Sequence, residues 1–284
     1  MKLSTDIVDR YEVDGFTFLP QVLDAKWLEL IARGFERNMA NPSPWGAEYQ
    51  KKGGRFFTDN SNFAVNPEIQ ELLYDSPIVD LMAQLIRADQ AWLYYDQVFY
   101  KDGEAVRTGW HQDMPYYLMK GDQVNGAWLC LEPLEKEYTL EVIRGSHKGP
   151  LYNGVNRLKP KEVGFDVGGP ATPDIEAHRE DYDIVSFDMK PGDMLVFHPK
   201  VLHGGAPTKA GRKRRTMTVN IFGPDILYEP RPEGHGPTFP GIENILKPGD
   251  PLHKATDYFY PLRPIPEKRP GVLKTHRFMH GRAS

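Results

Sequence analysis

The chain has one cysteine, Cys130, among its 284 residues. With no partner in the sequence, it excludes an intrachain disulfide framework and implies a reducing, cytoplasmic setting. Cys130 lies inside the apolar run Ala127-Trp128-Leu129-Cys130-Leu131, where a thiol behaves as a small buried hydrophobe. Long apolar runs are missing as well. No stretch of membrane-spanning length is apolar, and Met1 to Arg10 mixes charges with single apolar residues where a signal peptide would carry an apolar block. A large charge of either sign is also absent. The net charge of -4 gives no field that would draw nucleic acid or an anionic membrane, so neither is expected as a partner. There is no internal repeat and no coiled-coil heptad.

What is present suits one folded domain. At 40% hydrophobic, the chain can bury a sizeable core, and a single domain over 1–284 is expected rather than two small ones. Gly15-Phe16-Thr17-Phe18-Leu19 alternates like a short strand, and Asp24 then caps a helix with Trp27, Ile31 and Phe35 at four-residue steps. Residues 41–60 combine proline, paired glycine and aromatics without a period, which predicts a long loop. A second helix is expected from Ser76-Pro77, with Ile78, Leu81, Met82 and Leu85 on one face. Up to about residue 90 the chain therefore reads as helical.

From Ala91 the texture changes. Short β-like runs at 91–100, 123–131, 139–143, 184–188, 193–198, 200–203 and 214–222 are separated by Gly, Pro and Asp clusters, the pattern of an antiparallel sandwich or barrel. The acidic, Gly- and Pro-rich segment 164–182 reads as an insertion between strands. The proline-dense extension from about 223 to 284 is expected to drape over the β core.

Thr108-Gly109-Trp110-His111-Gln112-Asp113 sets a histidine and a carboxylate two apart, so on a strand both would leave one face and could share a metal. Imidazole plus carboxylate suits iron(II), and a second histidine would complete a facial triad with open positions. Two histidines downstream compete for that place. His198 directly precedes Pro199, which places it at a strand end, whereas His203 starts a new segment before Gly204-Gly205, where the backbone can approach a site closely. Shortly after comes Arg214-Arg215-Thr216-Met217-Thr218. On a strand, Arg214, Thr216 and Thr218 share a face able to grip a carboxylate.

The stretches Gly109 to Asp113 with Pro115-Tyr116, Leu140 to His147, Pro191-Gly192-Asp193 through His203-Gly204, and Arg214-Arg215-Thr216 together resemble the phytanoyl-CoA dioxygenase family of iron(II)/2-oxoglutarate oxygenases. Asp14-Gly15-Phe16 followed by a helix resembles the family's opening. The likeness covers roughly residues 10 to 222. Where relatives often have an Asn-Gly pair, this chain has Lys136-Glu137-Tyr138-Thr139.

The resemblance implies a double-stranded β-helix, or jelly roll, mainly β with flanking helices. It implies His111, Asp113 and His203 as iron ligands and Arg214 as partner of the distal carboxylate of 2-oxoglutarate. Gln97, Thr108, Trp128 and Thr218 match positions that line the co-substrate pocket. The implied reaction converts 2-oxoglutarate and O2 to succinate and CO2 while hydroxylating a small-molecule metabolite; halogenating relatives have a small residue in place of Asp113. Met114, Tyr116 and Tyr117 are expected to form substrate walls, with the 41–60 loop and the C-terminal extension closing over them. Two rivals use the same ligand set: a zinc hydrolase with bound water as nucleophile, and a jelly-roll binding protein without chemistry.

The remaining histidines carry blander expectations. His147 reads as a hydrogen-bonded structural residue, and His178, His235, His253, His276 and His280 as solvated. The basic cluster Lys209, Arg212, Lys213, Arg214 and Arg215 has the composition of a nucleic-acid patch or localisation signal, but the lack of interleaved aromatics and the net acidic chain speak against that reading.

Overall fold

Helices with one apolar stripe and strands of strict alternation meet in this chain, and the computed structural model shows how the two patterns pack. It describes residues 1–50, 54–105, 107–155, 163–205, 207–208, 210–231 and 236–273. The N-terminal part consists of helix α1 (Thr5–Asp14), strand β1 (Phe16–Leu19), helix α2 (Ala25–Ala40), strands β2 (Ala47–Gln50) and β3 (Gly54–Asn60), and helices α3 (Pro67–Asp75) and α4 (Ile78–Leu85). Next come β4 (Ala91–Gly103), β5 (Thr108–His111), β6 (Met119–Lys120), β7 (Val124–Cys130), β8 (Leu140–Ile143), β9 (Gly154–Val155) and β10 (Val163–Phe165). The chain continues through β11 (Ile184–Val185), β12 (Met194–Phe197), β13 (His203–Gly205), β14 (Lys213–Phe222), β15 (Leu227–Tyr228) and β16 (Pro261–Arg263).

The larger sheet runs β1-β12-β7-β14-β4-β3-β2, with β16 added on β4, and the smaller runs β11-β8-β13-β5. Pairing within both is antiparallel. Together they form a jelly roll. Alternation along the central strands decides which residues face which way. On β4 and β14, Val98, Met217, Val219 and Ile221 point into the core shared with the helices. One position on from the first three, Phe99, Thr218 and Asn220 point the other way, into a pocket between the sheets.

Local chemistry sets the helix limits. Gly15 ends α1 at φ 83°, its N–H returning to the Tyr11 carbonyl at 2.8 Å; a Cβ there would run into the His147 ring. The Asp24 carboxylate caps α2 through the Trp27 N–H. The Asn66 side chain caps α3, with Pro67 in its first turn, and also donates to the Gly34 carbonyl of α2 at 2.8 Å. On α4, Ile78, Leu81, Met82 and Leu85 are all buried, each contributing about 1.5–3 kcal/mol by leaving water.

Four expectations change. A helix, α1, precedes the first strand. The segment read as a loop over 41–60 contains β2 and β3, whose aromatics Phe56 and Phe57 are buried against β4. An additional helix, α3, stands before α4. The run 200–203 is a turn followed by a strand: the Val201 N–H returns to His198 O at 2.8 Å, and pairing starts only at His203. The C-terminal extension does lie over the β core. It adds β16 to β4 and packs Leu252 and Phe259 against Tyr94 and Tyr117. Among the described residues no helix is long and apolar enough to cross a membrane.

Candidate metal centre

His111 ends β5 and His203 begins β13, and the two are direct partners across that ladder. Their rings come within 4.2 Å, centroid to centroid. Asp113 joins them from a turn rather than from the same strand face. Strand β5 stops at His111, Asp113 has helical φ/ψ, and the N–H groups of Asp113 and Met114 both donate to Pro199 O, at 2.8 and 3.0 Å. Its carboxylate oxygens lie 3.4 Å from His111 Nε2 and 3.6 Å from His203 Nε2. All three side chains are buried.

The donor set fits a cation. One ligand atom from each residue lies within 4.8 Å of the others; atoms bound at right angles about 2.1 Å from one ion would stand about 3 Å apart. Each imidazole is oriented by its far nitrogen: His111 Nδ1 donates to Gly109 O at 2.8 Å and His203 Nδ1 to Val201 O at 2.9 Å. That fixes the tautomer and leaves Nε2 as the lone-pair donor facing the centre. Two imidazoles and one carboxylate on one side leave the other side open.

The pocket beyond this cluster has a floor built by register. Four cross-strand pairs of β14 and β4, Arg214 with Lys101, Thr216 with Phe99, Thr218 with Gln97, and Asn220 with Tyr95, all present their side chains to it. Thr108, Trp128, Leu140 and Phe197 add walls. Gly126 lies opposite Asn220 on β7, and a Cβ there would sit 2.6 Å from the Asn220 side-chain oxygen. Among the described residues, Thr218 Oγ1 and Asn220 Nδ2 are buried without a hydrogen-bond partner, a state polar groups rarely keep unless something binds them. Arg214 is 5% exposed, and its Nη1 donates to Tyr138 O at 2.7 Å. Burial pulls its guanidinium down to about 10, so it stays cationic at neutral pH. That carbonyl comes from the segment where the sequence departs from the family pattern.

Supporting side chains hold the frame. Gln112 points away from the metal cluster; its amide donates to Lys200 O at 2.8 Å and Pro150 O at 3.1 Å and accepts from the Tyr152 N–H at 2.8 Å. Asp193 closes the Pro191-Gly192 turn by accepting from the N–H groups of Lys190 and Gln21.

The pocket brings together His111, Asp113, His203, Arg214, Gln97, Thr108, Trp128 and Thr218. It does not include Met114, Tyr116 or Tyr117, which are buried in the aromatic core under the C-terminal extension. Tyr117 supports the pocket from behind, its hydroxyl meeting those of Tyr95 and the Asn220 side chain at 3.1 Å each. A second cavity lies on the far side of Tyr95, walled by Trp45, Phe63, Tyr94, Phe239, Tyr258 and Tyr260. Sequence reading missed Lys101, Phe56 and Asn220 as lining residues. For Lys101 and Asn220, alternation through the end of β4 and of β14 was the available signal; Phe56 lies on β3, within the segment read as a loop.

The other histidines lie elsewhere. His198 is buried outside the cluster; its Nδ1 accepts from the Lys200 N–H at 3.1 Å, and burial pushes its pKa down to about 3. His147 bonds Glu12 O at 3.2 Å. His178 is exposed. His253 is stacked on Trp92 at 4.6 Å rather than free in solvent, while His235, His276 and His280 lie outside the described residues, as does Lys209. The basic cluster splits by strand alternation: Arg214 turns inward, and Arg212 and Arg215 pair with Glu135 and Glu132. Arg107, Lys120 and Arg144 are likewise in ion pairs, with Glu141, Glu229 and Asp183.

Comparison with known proteins gives one consistent result. The family model described as phytanoyl-CoA dioxygenase matches residues 11–216. A probable phytanoyl-CoA dioxygenase of Caenorhabditis elegans is 24% identical over 200 residues, covering 65% of this chain and 60% of that protein. The human peroxisomal phytanoyl-CoA dioxygenase is 28% identical over 122 residues, covering 42% of this chain and 34% of its own length. The chain thus spans less than two thirds of the length of either of these curated relatives. Among solved structures, the epimerase SnoN, in complex with Fe3+, alpha ketoglutarate and nogalamycin RO, superposes with a TM-score of 0.69 at 20% identity, covering 91% of this chain and 98% of SnoN.

Proposed function

The chain belongs to the phytanoyl-CoA dioxygenase family, and from that membership we propose that it is an iron(II)- and 2-oxoglutarate-dependent oxygenase that hydroxylates a C–H bond of a small molecule. The observation that carries the reading is the conjunction, in one pocket, of His111, Asp113 and His203 with the buried cation Arg214. Iron(II) held by the three ligands would supply the open positions and the oxidising power by which 2-oxoglutarate and O2 become succinate and CO2 as one oxygen atom enters the substrate. The chain's own residues do the placing. Arg214 holds the distal carboxylate of the co-substrate, Thr218 and Gln97 offer it hydrogen bonds, and Phe99, Trp128 and Phe197 keep water away.

The second cavity beyond Tyr95 is the natural place for the substrate, and its aromatic walls suit a ring-bearing or apolar small molecule. SnoN, whose fold this chain shares, is solved in complex with nogalamycin RO. We assign no nucleic acid or membrane to the site, a cytoplasmic setting to the protein, and one functional unit to the whole chain. Titration of the anaerobic iron(II)-loaded protein with 2-oxoglutarate tests the reading: a weak visible charge-transfer band is expected. A protein that binds zinc tightly, gives no band and hydrolyses an ester would instead fit the zinc hydrolase.

A further inference from the structure

We propose that Asn220 reads the substrate: its side-chain amide donates a hydrogen bond to an acceptor oxygen, a carbonyl or an ether, that the small molecule carries close to the carbon oxidised. The inference rests on the oxygenase reading above and on the aromatic cavity as the substrate's place, and it narrows the substrate class to ring-bearing, oxygenated molecules. Asn220 is 3% exposed, and its side chain lines the pocket that holds the metal cluster. One arm of its amide is taken. The Tyr117 hydroxyl donates to Oδ1 at 3.1 Å and lies 3.1 Å from the hydroxyl of Tyr95, a residue common to the pocket and the aromatic cavity. With Oδ1 held there, Nδ2 is buried and has no hydrogen-bond partner. A buried donor left unpaired is costly, so its persistence points to a ligand that pairs with it.

The surroundings place this donor between the cluster and the aromatic cavity. A Cβ on Gly126, opposite on β7, would lie 2.6 Å from Asn220 Oδ1 and 3.8 Å from the Phe197 ring, and that ring stands 4.7 Å from the ring of His203. Asn220 and a candidate metal ligand thus neighbour the same phenyl group. On the other flank the pairing of β14 with β4 steps from Asn220–Tyr95 to Ile221–Leu93, which leaves Tyr94 as the extra residue of a bulge. Bulges re-aim side chains beside functional sites, and here Tyr94 and Tyr95 both wall the aromatic cavity. A molecule seated in that cavity and reaching the cluster passes the Asn220 amide. A hydrocarbon at that point would leave the N–H unpaired, whereas an oxygen would satisfy it, so the site rejects the analogue that lacks the acceptor.

The test uses probes alike in shape that differ by one oxygen, acetophenone against ethylbenzene and tetralone against tetralin, titrated calorimetrically into the anaerobic protein loaded with iron(II) and 2-oxoglutarate. Wild type should bind the ketone of at least one pair about tenfold more tightly than its hydrocarbon, the worth of one hydrogen bond to a donor otherwise unpaired. Asn220→Leu, similar in size without the donor, should bind both members of that pair alike. A change of packing alone would shift both affinities together and leave their ratio. If wild type gives no charge-transfer band with 2-oxoglutarate, the oxygenase reading falls and the proposal with it. If the band forms but wild type prefers neither ketone, or Asn220→Leu keeps the preference, only the role of Asn220 falls. Should Asn220→Leu not fold, Asn220→Ala is read by the same criteria, and failure of both to fold would mark the amide as structural and overturn the proposal.

Discussion

His111 and His203 face each other as paired residues on neighbouring strands, each with its Nδ1 tied to a backbone carbonyl two residues earlier in the chain. The two ligands are thus oriented by one repeated local device. Replacing either by alanine removes one of three donors, so His111→Ala and His203→Ala should abolish iron-dependent succinate formation. His198→Ala should retain it, because His198 belongs to a different cluster. A dead, folded His198→Ala beside an active His203→Ala would reverse the ligand assignment.

Arg214→Ala should act mainly on the co-substrate. A charge-assisted hydrogen bond contributes about 1.5–3 kcal/mol, so the 2-oxoglutarate concentration giving half-maximal rate should rise on the order of 10–100-fold. Arg214→Lys should recover only part, since an ammonium cannot reproduce the planar fork. Steady-state kinetics with 2-oxoglutarate varied will decide; an unchanged requirement would remove Arg214 from the site.

Gly126→Ala places a methyl group against the Asn220 side chain that Tyr117 holds from behind. Overpacking of this kind costs about 1–3 kcal/mol. The double variant Gly126→Ala/Asn220→Ala, which makes room, should recover part of that stability in urea unfolding. Full stability of the single variant would show that Asn220 can move freely.

Stability should carry two opposing pH slopes. His198 titrates at about 3 folded against 6.5 for the free side chain: its contribution is complete above 6.5 and is lost as pH falls towards 3. Asp96, buried beneath the loop after β3, is raised from 3.8 to about 6: its contribution is complete below 3.8 and is lost as pH rises through 6. Relative to wild type, His198→Asn should therefore gain stability as pH falls from 6.5, and Asp96→Asn should lose it from 6 to 4. Urea unfolding at pH 4, 5, 6 and 7 measures both differences; slopes of the same sign would contradict the assignment.

Much of this architecture can be read from residue pattern because alternation and capping are local. Asp24, the inward row Arg214-Thr216-Thr218 and the histidine ahead of Gly204-Gly205 all declare themselves within a few positions. What escapes depends on distant partners. Lys101 falls just past the apparent end of its strand at residue 100, since only pairing with β14 and β3 carries β4 on to Gly103. The segment 41–60 reads as a loop because β2 and β3 gain their regularity from a ladder on β4. Asp113 reaches its place by a turn fixed through Pro199, far along the chain. Met114, Tyr116 and Tyr117 look like substrate walls only until the C-terminal extension is seen to cover them.

The ladder of pairs on β14 and β4 separates two tasks in space. Arg214 and Lys101 lie six residues along their strands from Asn220 and Tyr95, about 20 Å at strand spacing. On the proposed function one end would answer to the keto acid, while Tyr95 at the other borders the aromatic cavity. Descendants of this chain can therefore exchange Tyr95, Asn220 and the residues behind them for new substrates without disturbing the end that meets the shared reagent, and such drift would leave its record at one terminus of the same two strands.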